Sequence, residues 1–297
     1  MKNSMTKKNK MQTFDIINIT FLAVISIFMI YPFYNVIIIS FAKYDDLVQA
    51  GMYLIPKSFD LDAYKTVLSD SSFYKGFIVS VFITIVGTSI SMILSVCGGY
   101  ALSKKDMPGR NLFLFIILFT MFFSGGLIPY YLTVKAVGLI DTIWVMILPI
   151  AVSTWNLIII KNYFNNFPAS LEESARLDGA NDIQILMKIV IPTSMPVIAT
   201  FSLFYAVDRW NEWWNALIFV SDKDIRPLQI VLREILINYS STISEAAKQA
   251  LLTGDKVIFA TSIQMAAIVV TMVPIIIVYP FLQKYFVKGI MIGSIKE

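Results

Sequence analysis

The chain contains no histidine, so it lacks the imidazole group that most often serves as a general base or a metal ligand. It also contains no G-x-x-x-x-G-K-[ST] loop, the motif with which many ATPases cradle nucleotide phosphates. Its single cysteine, Cys97, excludes an internal disulfide. These absences argue against most enzyme classes, and we expect no catalytic residue, metal site or cofactor in this chain.

Charge is also scarce, because charged residues make up 15% of the 297 residues whereas hydrophobic residues make up 57%. A mean hydropathy of +0.71 exceeds what a soluble domain normally carries. A membrane-spanning helix needs about 20 apolar residues. Six runs of that length predict a membrane domain over residues 16–282, with spans at 16–41, 76–102, 112–134, 142–164, 193–214 and 258–282. Because lipid offers no hydrogen-bond partners to the backbone, we expect an all-α, polytopic membrane protein with six transmembrane helices.

The positions of Lys and Arg predict the orientation of these spans. One set of loops and both termini together hold 13 Lys and Arg against 7 acidic residues, which is typical of the cytoplasmic side. We therefore expect a cytoplasmic N-terminal tail over 1–15 and a cytoplasmic C-terminal tail over 283–297. The first apolar run is longer than the core of a signal peptide and no small-x-small cleavage site follows it, so we expect it to stay in the protein.

A polar stretch, LEESARLDGANDIQILMKIVIP, interrupts this apolar chain in the predicted cytoplasmic loop 165–192. Ser170 followed by Glu173 is typical of a capping box, which predicts a helix start at that point. Gly179 is the residue best suited to a left-handed helix cap, so we expect the first helix to end there.

A second short helix is predicted after Gly179 by apolar residues at helical spacing, namely Ile183, Leu186, Met187 and Val190. Two short amphipathic helices of this kind can seat in a groove of a partner protein. They can equally lie on the lipid surface. The spacing alone leaves both alternatives open.

The order of residues in this loop resembles the coupling loop of the membrane subunits of ATP-binding-cassette (ABC) importers. That loop reads E-A-A, three residues, G, nine residues, I-x-L-P, and this chain departs from it only by Ser174 for alanine and Ile191 for leucine. The resemblance implies that a partner ATPase docks here. The residues to which it assigns this contact are Glu172, Glu173, Ser174, Ala175, Asp178, Gly179, Ile189 and Pro192.

The resemblance extends over nearly the whole chain. The runs FSGGLIPYYLTVKAVGLIDTIWVMILP, ALIFVSDKDIRPLQ and YPFLQKYFVKGIMIGSIKE look like MalG-like carbohydrate permeases. Within them, the Ser124-Gly125-Gly126-Leu127-Ile128-Pro129 run and the Asp222-Lys223-Asp224 turn look most like the LplC/YtcP branch. This implies a type I ABC importer permease fold in a bacterial cytoplasmic membrane and half of a translocation path for an oligosaccharide, among them uronate-containing ones. It also implies a second homologous permease (LplB- or MalF-like), an ATPase dimer that carries the ATP and Mg, an extracellular solute-binding protein, and no nucleic acid.

Ionisable residues within the fifth apolar run are candidates for the sugar path, because charge inside a membrane is costly and usually functional. Tyr205 and Asp208 share a helical face and would offer a ring for stacking and a carboxylate for hydrogen bonding. The alternative is an aromatic belt near the headgroups, in which Asp208 pairs with Arg209. Trp155 and Asn156 form a second candidate pair for the path, with helix packing as the alternative.

The predicted external loop 215–257 carries a helical pattern of its own at Leu228, Val231, Leu232 and Ile235. Its place matches the family loop that reaches the binding protein, and the alternative is a lid over the bundle. Two other classes share this hydropathy, a six-helix channel and an intramembrane enzyme, but neither explains the loop 165–192. A permease for peptides or amino acids would share that loop without the carbohydrate-type runs.

Overall fold

The computed structural model describes residues 13–43, 55, 59–237 and 260–294, and the side chains of Thr13, of Tyr279 and of residues 281–294 are not described. The described residues form helices and turns and no strand. The helices are α1 Thr13–Ser40, α2 Asp62–Ser69, α3 Ser71–Ser103, α4 Arg110–Phe122, α5 Leu127–Ala136, α6 Thr154–Asn165, α7 Ala169–Leu177, α8 Asp182–Ile185, α9 Ile191–Thr193, α10 Met195–Trp210, α11 Trp214–Phe219, α12 228–237 and α13 Ala260–Ser294.

Three of the described helices are long and apolar enough to cross a membrane by length and composition. They lie at Phe14–Ser40, Ser71–Ser103 and Ala260–Val278, in the first, second and sixth predicted spans. A fourth crossing is added if Asp182–Thr193 and Met195–Phe219, which meet at a bend of 86°, count as one. Most apolar side chains of α1 are exposed, as expected for a helix whose neighbours are lipid or other chains.

The third predicted span, 112–134, is not one continuous helix. It is divided into α4 and α5 by residues 123–126, and Gly126 has a φ of 83°. Glycine loses the most conformational freedom in a helix and readily takes positive φ. The Ser124-Gly125-Gly126 run therefore separates α4 from α5.

The fourth predicted span, 142–164, also differs from a continuous helix. A 3-10 turn covers Ile143–Met146, residues 147–153 are irregular, and only α6 is regular. Pro149 lies inside the irregular segment. Proline has no amide hydrogen to donate, and in a helix its ring would clash with the preceding turn, so a continuous helix is disfavoured here. Hydropathy detects the apolar run but not this interruption.

The chain divides into two compact units, of which the first comprises residues 1–67 and 236–270. In this unit Phe41 stacks on Phe59 with ring centroids 4.5 Å apart and on Tyr64 at 4.8 Å. The hydroxyls of Ser40 and Tyr64 are hydrogen-bonded at 2.7 Å, and the Ser262 hydroxyl donates to the carbonyl of Ala42. These contacts fix the end of α1 against the start of α13.

The second unit comprises residues 68–235 and 271–297, and α3 is its central helix. Helices α10 and α6 pack along α3. Two glycines permit this close packing, because an added Cβ at Gly87 would lie 3.0 Å from Arg209 Cδ and one at Gly99 would lie 3.0 Å from Ile160 Cγ2. Gly99 therefore permits a close approach of α3 and α6.

Helix α12 confirms the helical pattern predicted in the external loop. Leu228, Val231 and Ile235 are buried, and the amide of Leu228 donates to the Ser80 hydroxyl of α3 at 2.8 Å. The remainder of that loop, 238–257, lies outside the described residues. At the other end of the chain α13 continues to Ser294, so most of the predicted tail 283–297 is helical, whereas residues 1–12 of the predicted N-terminal tail are not described.

Candidate functional site

Helix α7, the first helix of the predicted coupling loop, starts differently from the expectation. Its N-cap is Pro168, no side chain caps it, and Ser170 lies within the first turn. The capping box predicted from Ser170 and Glu173 is therefore wrong. Proline's fixed φ suits the start of a helix, so Pro168 begins the helix two residues earlier than the serine would.

The end of α7 confirms the role predicted for Gly179, which has a φ of 83°. The amide of Ala180 donates to the carbonyl of Ala175 at 2.9 Å, and the amide of Gly179 donates to that of Arg176 at 3.0 Å. This pair of bonds is the Schellman motif, which satisfies the last carbonyls of a helix. An added Cβ at Gly179 would meet nothing within 4 Å, so the requirement for glycine comes from the backbone conformation alone.

A capping box does exist in the loop, but at the start of α8. The Asn181 side chain accepts from the Gln184 amide at 2.9 Å, and the Gln184 side chain accepts from the Asn181 amide at 3.0 Å. This box was not predicted from the sequence, although Asn followed three residues later by Gln is a recognisable signal. Together the Schellman motif and this box fix the turn between α7 and α8.

A π-helical turn, Leu186–Val190, follows α8 and changes which residues are buried. Ile185, Leu186 and Val190 are buried, whereas Ile183 and Met187 are 73% and 59% exposed. The predicted single stripe of Ile183, Leu186, Met187 and Val190 is therefore wrong, since a π-turn holds more residues than an α-turn and shifts the register. Ile189 is partly buried against the core, and Pro192 is exposed at the start of α9.

The exposed members of the loop form what we call the coupling surface, which consists of Leu177, Ile183, Met187 and Glu173. Leu177 is 88% exposed, although it is a large apolar residue in a turn rich in charge. Glu173, Ser174 and Asp178 are exposed, while Ala175 is buried and packs α7 on the core. Exposed large apolar side chains beside charged ones are typical of a protein-binding surface.

The two neighbouring glutamates of α7 have different surroundings. The Glu172 carboxylate forms an ion pair with Lys104, the residue that follows α3, and is therefore occupied within this chain. Glu173 makes no ion pair among the described residues and points to solvent. Of the pair, Glu173 is thus the carboxylate that a partner can reach.

Among the described side chains of the second unit, Arg209 is the most deeply buried charged one, at 2% exposed. Its guanidinium donates to the Ser91 hydroxyl of α3 at 2.9 Å and to the carbonyls of Ile150 and, at 3.5 Å, of Met146. These carbonyls belong to the fourth apolar run, where no regular helix satisfies them. Arg209 makes no ion pair with Asp208 within the described part of the chain, so the alternative pairing considered from the sequence is not formed.

Tyr205 lies one helical turn before Arg209 and also forms a hydrogen bond with the irregular segment 147–153. Its hydroxyl is hydrogen-bonded to the Ser95 hydroxyl at 2.7 Å and accepts from the Ser153 amide at 3.2 Å. The ring is buried in the core, and in this conformation it has no open face for stacking on a sugar. Asp208, in contrast, is exposed, so the two predicted members of one path face have different environments.

The other candidate pair for the path is divided in the same way. Asn156 is buried in α6, and its amide lies 3.4 Å from the Ser153 hydroxyl that caps the helix. Trp155 is exposed beside it. Among the described residues, no group of three or more His, Cys, Asp or Glu side chains is placed to hold a metal ion.

Side-chain bonds also join the segment after the α4–α5 break to the segment after α10. The Tyr130 hydroxyl donates to the Asn215 side chain at 2.7 Å. Asp141 has a φ of 59° and accepts from the amides of Ser221 and Asp222, both at 2.8 Å. Asp141 thereby holds the turn at Asp222 that the sequence analysis singled out.

A helical membrane chain with a short two-helix loop on one side suggests a permease, and comparison with known proteins supports this class. Residues 110–292 match the family described as binding-protein-dependent transport system inner membrane component. The chain belongs to this family, the permease subunits of ABC importers, and the predicted fold class is confirmed.

Three relatives share most of the chain. It is 45% identical to the polygalacturonan/rhamnogalacturonan transport system permease protein YtcP of Bacillus subtilis (strain 168), over 97% of this chain and 99% of that protein. It is 45% identical to protein LplC of the same organism, over 96% and 95%. The crystal structure of a bacterial ABC transporter involved in the import of the acidic polysaccharide alginate contains a chain of 37% identity and TM-score 0.84, with 92% and 96% covered.

Proposed function

We propose that this permease forms half of the translocation path for an oligosaccharide with acidic sugars. The other half is a second homologous permease, of the LplB or MalF type. An ATPase dimer, which carries the ATP and Mg, binds on the cytoplasmic side, and an extracellular binding protein delivers the sugar. Both termini lie on the cytoplasmic side of a bacterial membrane, in keeping with the distribution of Lys and Arg.

The coupling surface is the observation that supports a role in coupling ATP hydrolysis to transport. Its apolar side chains are held outside the core by two fixed turns, the Schellman motif at Gly179 and the capping box at Asn181. The chain from Asp182 to Thr193 meets α10 and α11 at a bend of 86°, so a displacement of the coupling surface acts as a lever on α10. Closure of the ATPase dimer on binding ATP would supply that displacement, and hydrolysis would reverse it.

The acidic-sugar substrate is supported by the names of two relatives. Polygalacturonan is a polymer of uronates, and alginate is described as an acidic polysaccharide. A permease for peptides or amino acids is the alternative, and ligand-stimulated ATP hydrolysis by the reconstituted complex distinguishes the two. We expect stimulation by the binding protein loaded with an oligogalacturonate and none when peptides are offered.

The purified chain alone is expected to hydrolyse no ATP and to carry no sugar, because it has no phosphate-binding loop and supplies only half of a path. The measurement is ATP hydrolysis and sugar uptake in liposomes that contain this chain alone or the complete complex. Uptake by liposomes with this chain as the sole polypeptide would contradict the proposal of an ABC importer subunit and favour a channel or a secondary carrier.

Asp208→Asn is expected to reduce uptake several-fold at limiting sugar if the exposed carboxylate accepts hydrogen bonds from sugar hydroxyls. One good polar contact is worth roughly 0.5–1.5 kcal/mol, which corresponds to a change of this size. Asp106→Asn is the matched control, because Asp106 is an exposed carboxylate in the turn between α3 and α4. Unchanged or increased uptake by Asp208→Asn, normalised to assembled complex, would exclude this contact.

A further inference from the structure

A partly buried ion pair joins the coupling loop to the central helix of the second unit. Lys104 is the C-cap of α3, and its ammonium pairs with the carboxylate of Glu172 in α7. The same ammonium lies 4.1 Å from the centre of the Tyr100 ring. Because Tyr100 is buried and packs edge-on against Phe164, the ammonium bridges α7 and the core. We call Tyr100, Lys104 and Glu172 the latch.

The latch differs from the other ion pair of the loop, Arg176 with Asp182. In the latch the side chains of Lys104 and Glu172 are 23% and 14% exposed, whereas those of Arg176 and Asp182 are 49% and 66% exposed. Exposed pairs contribute little because water and salt screen them. Breaking a pair that is largely shielded from water costs more, because it leaves a charge without its partner.

The latch also provides a second route from the coupling surface into the membrane domain. The covalent route leads from α8 through the π-turn and the bend into α10. The latch leads from α7 directly into α3, a helix of 33 residues on which both α10 and α6 pack. A rigid helix moves as a unit, so a displacement imposed at Lys104 reaches the residues that contact Arg209 and Tyr205.

We infer that the latch transmits the movement of α7 to α3, so that Lys104 and Glu172 are positioning residues that couple ATP hydrolysis to transport. This inference rests on the proposed function. It assigns Glu172 to contacts within the chain and leaves Glu173 for the ATPase. Without the latch, α7 would follow the ATPase while α3 stayed behind, and hydrolysis would proceed without transport.

Charge reversal tests the latch in the complete transporter. Lys104→Glu places two carboxylates together and is expected to lower the sugar transported per ATP hydrolysed about ten-fold, the size of a typical coupling between sites. The ATPase is expected to remain bound, since the coupling surface is untouched. Lys104→Glu combined with Glu172→Lys restores opposite charges and is expected to recover most of the coupling.

The exposed pair offers a matched control in the same loop. Reversing Arg176 and Asp182 singly is expected to leave the sugar transported per ATP within about two-fold of the wild type, because exposed pairs contribute little. A Lys104→Glu complex that transports normally per ATP would overturn the inference. So would a defect in Lys104→Glu that the reversed pair fails to repair.

A chemical cross-link provides a second test of the latch if the Lys104→Glu permease does not accumulate in the membrane. In a Cys97→Ser background, Lys104→Cys with Glu172→Cys removes the ion pair, and a short bismaleimide joins the two positions covalently. We expect poor coupling before the reaction and recovered coupling after it, and no recovery would overturn the inference. ATPase co-purification is read in the same samples: its absence in the wild type would contradict the proposed function, whereas normal co-purification with unaltered coupling would contradict only the latch.

Discussion

Gly179→Val is expected to abolish uptake while the permease still reaches the membrane. Gly179 has a φ of 83°, a conformation that costs a non-glycine residue about 1–2 kcal/mol and a β-branched residue more. The chain would relax by abandoning the Schellman turn, which redirects α8 and disperses the coupling surface. Uptake of sugar per membrane-inserted permease and co-purification of the ATPase measure this effect, and both are expected to be lost.

Gly138→Val is the matched control for this substitution. Gly138 has a φ of 71° and, like Gly179, has nothing within 4 Å of an added Cβ, so valine brings a similar backbone strain at a turn outside the coupling loop. The ATPase should therefore still bind to Gly138→Val. Gly179→Asn should be milder than Gly179→Val, because asparagine tolerates the left-handed region. Normal ATPase binding and uptake by Gly179→Val would refute the docking role of the turn.

Arg209→Met is expected to reduce the amount of folded, assembled permease severely. It removes the donors for the carbonyls of Ile150 and Met146, and each buried carbonyl without a partner costs about 1–3 kcal/mol. Relief of the buried charge offsets part of this loss, so we expect the unfolding temperature in detergent to fall by on the order of 5–10 °C. Arg209→Lys should be intermediate, since an ammonium lacks the fork that reaches several acceptors.

Arg233→Met is the control for the Arg209 prediction, because Arg233 is exposed on α12. It removes the same charge and adds the same side chain without opening a buried bond. We expect its unfolding temperature to stay within about 1–2 °C of the wild type, as for most surface substitutions. An Arg209→Met permease as stable as Arg233→Met would show that the irregular segment does not depend on the guanidinium.

The sequence predicts the class of fold and the position of the coupling loop, because both depend on local patterns. Long apolar runs can be recognised in the sequence alone, and a glycine where a predicted helix should end indicates a left-handed cap. The left-handed cap at Gly179 is confirmed for this reason. The start of α7 was misjudged because Ser170 and Glu173 match a capping box equally well whether or not Pro168 has already begun the helix.

The interior of the candidate site could not be predicted, because it depends on contacts between residues far apart in the chain. Arg209 and Asp208 are adjacent in sequence, yet the guanidinium is buried against Ile150 and the carboxylate is exposed. From the sequence Tyr205 is a candidate for the sugar path, whereas in the structure its hydroxyl accepts a hydrogen bond from the Ser153 amide. The backbone groups of Ile150 and Ser153 need side-chain partners because residues 147–153 are irregular. From its hydropathy alone this segment is predicted to be part of a helix.

The π-turn between α8 and α9 fixes the rotational phase of the coupling surface relative to α10. Each residue added to or removed from a helix rotates everything beyond it by about 100° and shifts it by about 1.5 Å. In contrast, deleting one residue from Leu186–Val190 would let the chain close an ordinary α-turn with one residue fewer, so Ile183 would keep nearly its present direction. The stretch is therefore expected to accept the loss of one residue, whereas a residue inserted into a regular helical turn between α8 and α10 would rotate the coupling surface by about 100° relative to α10.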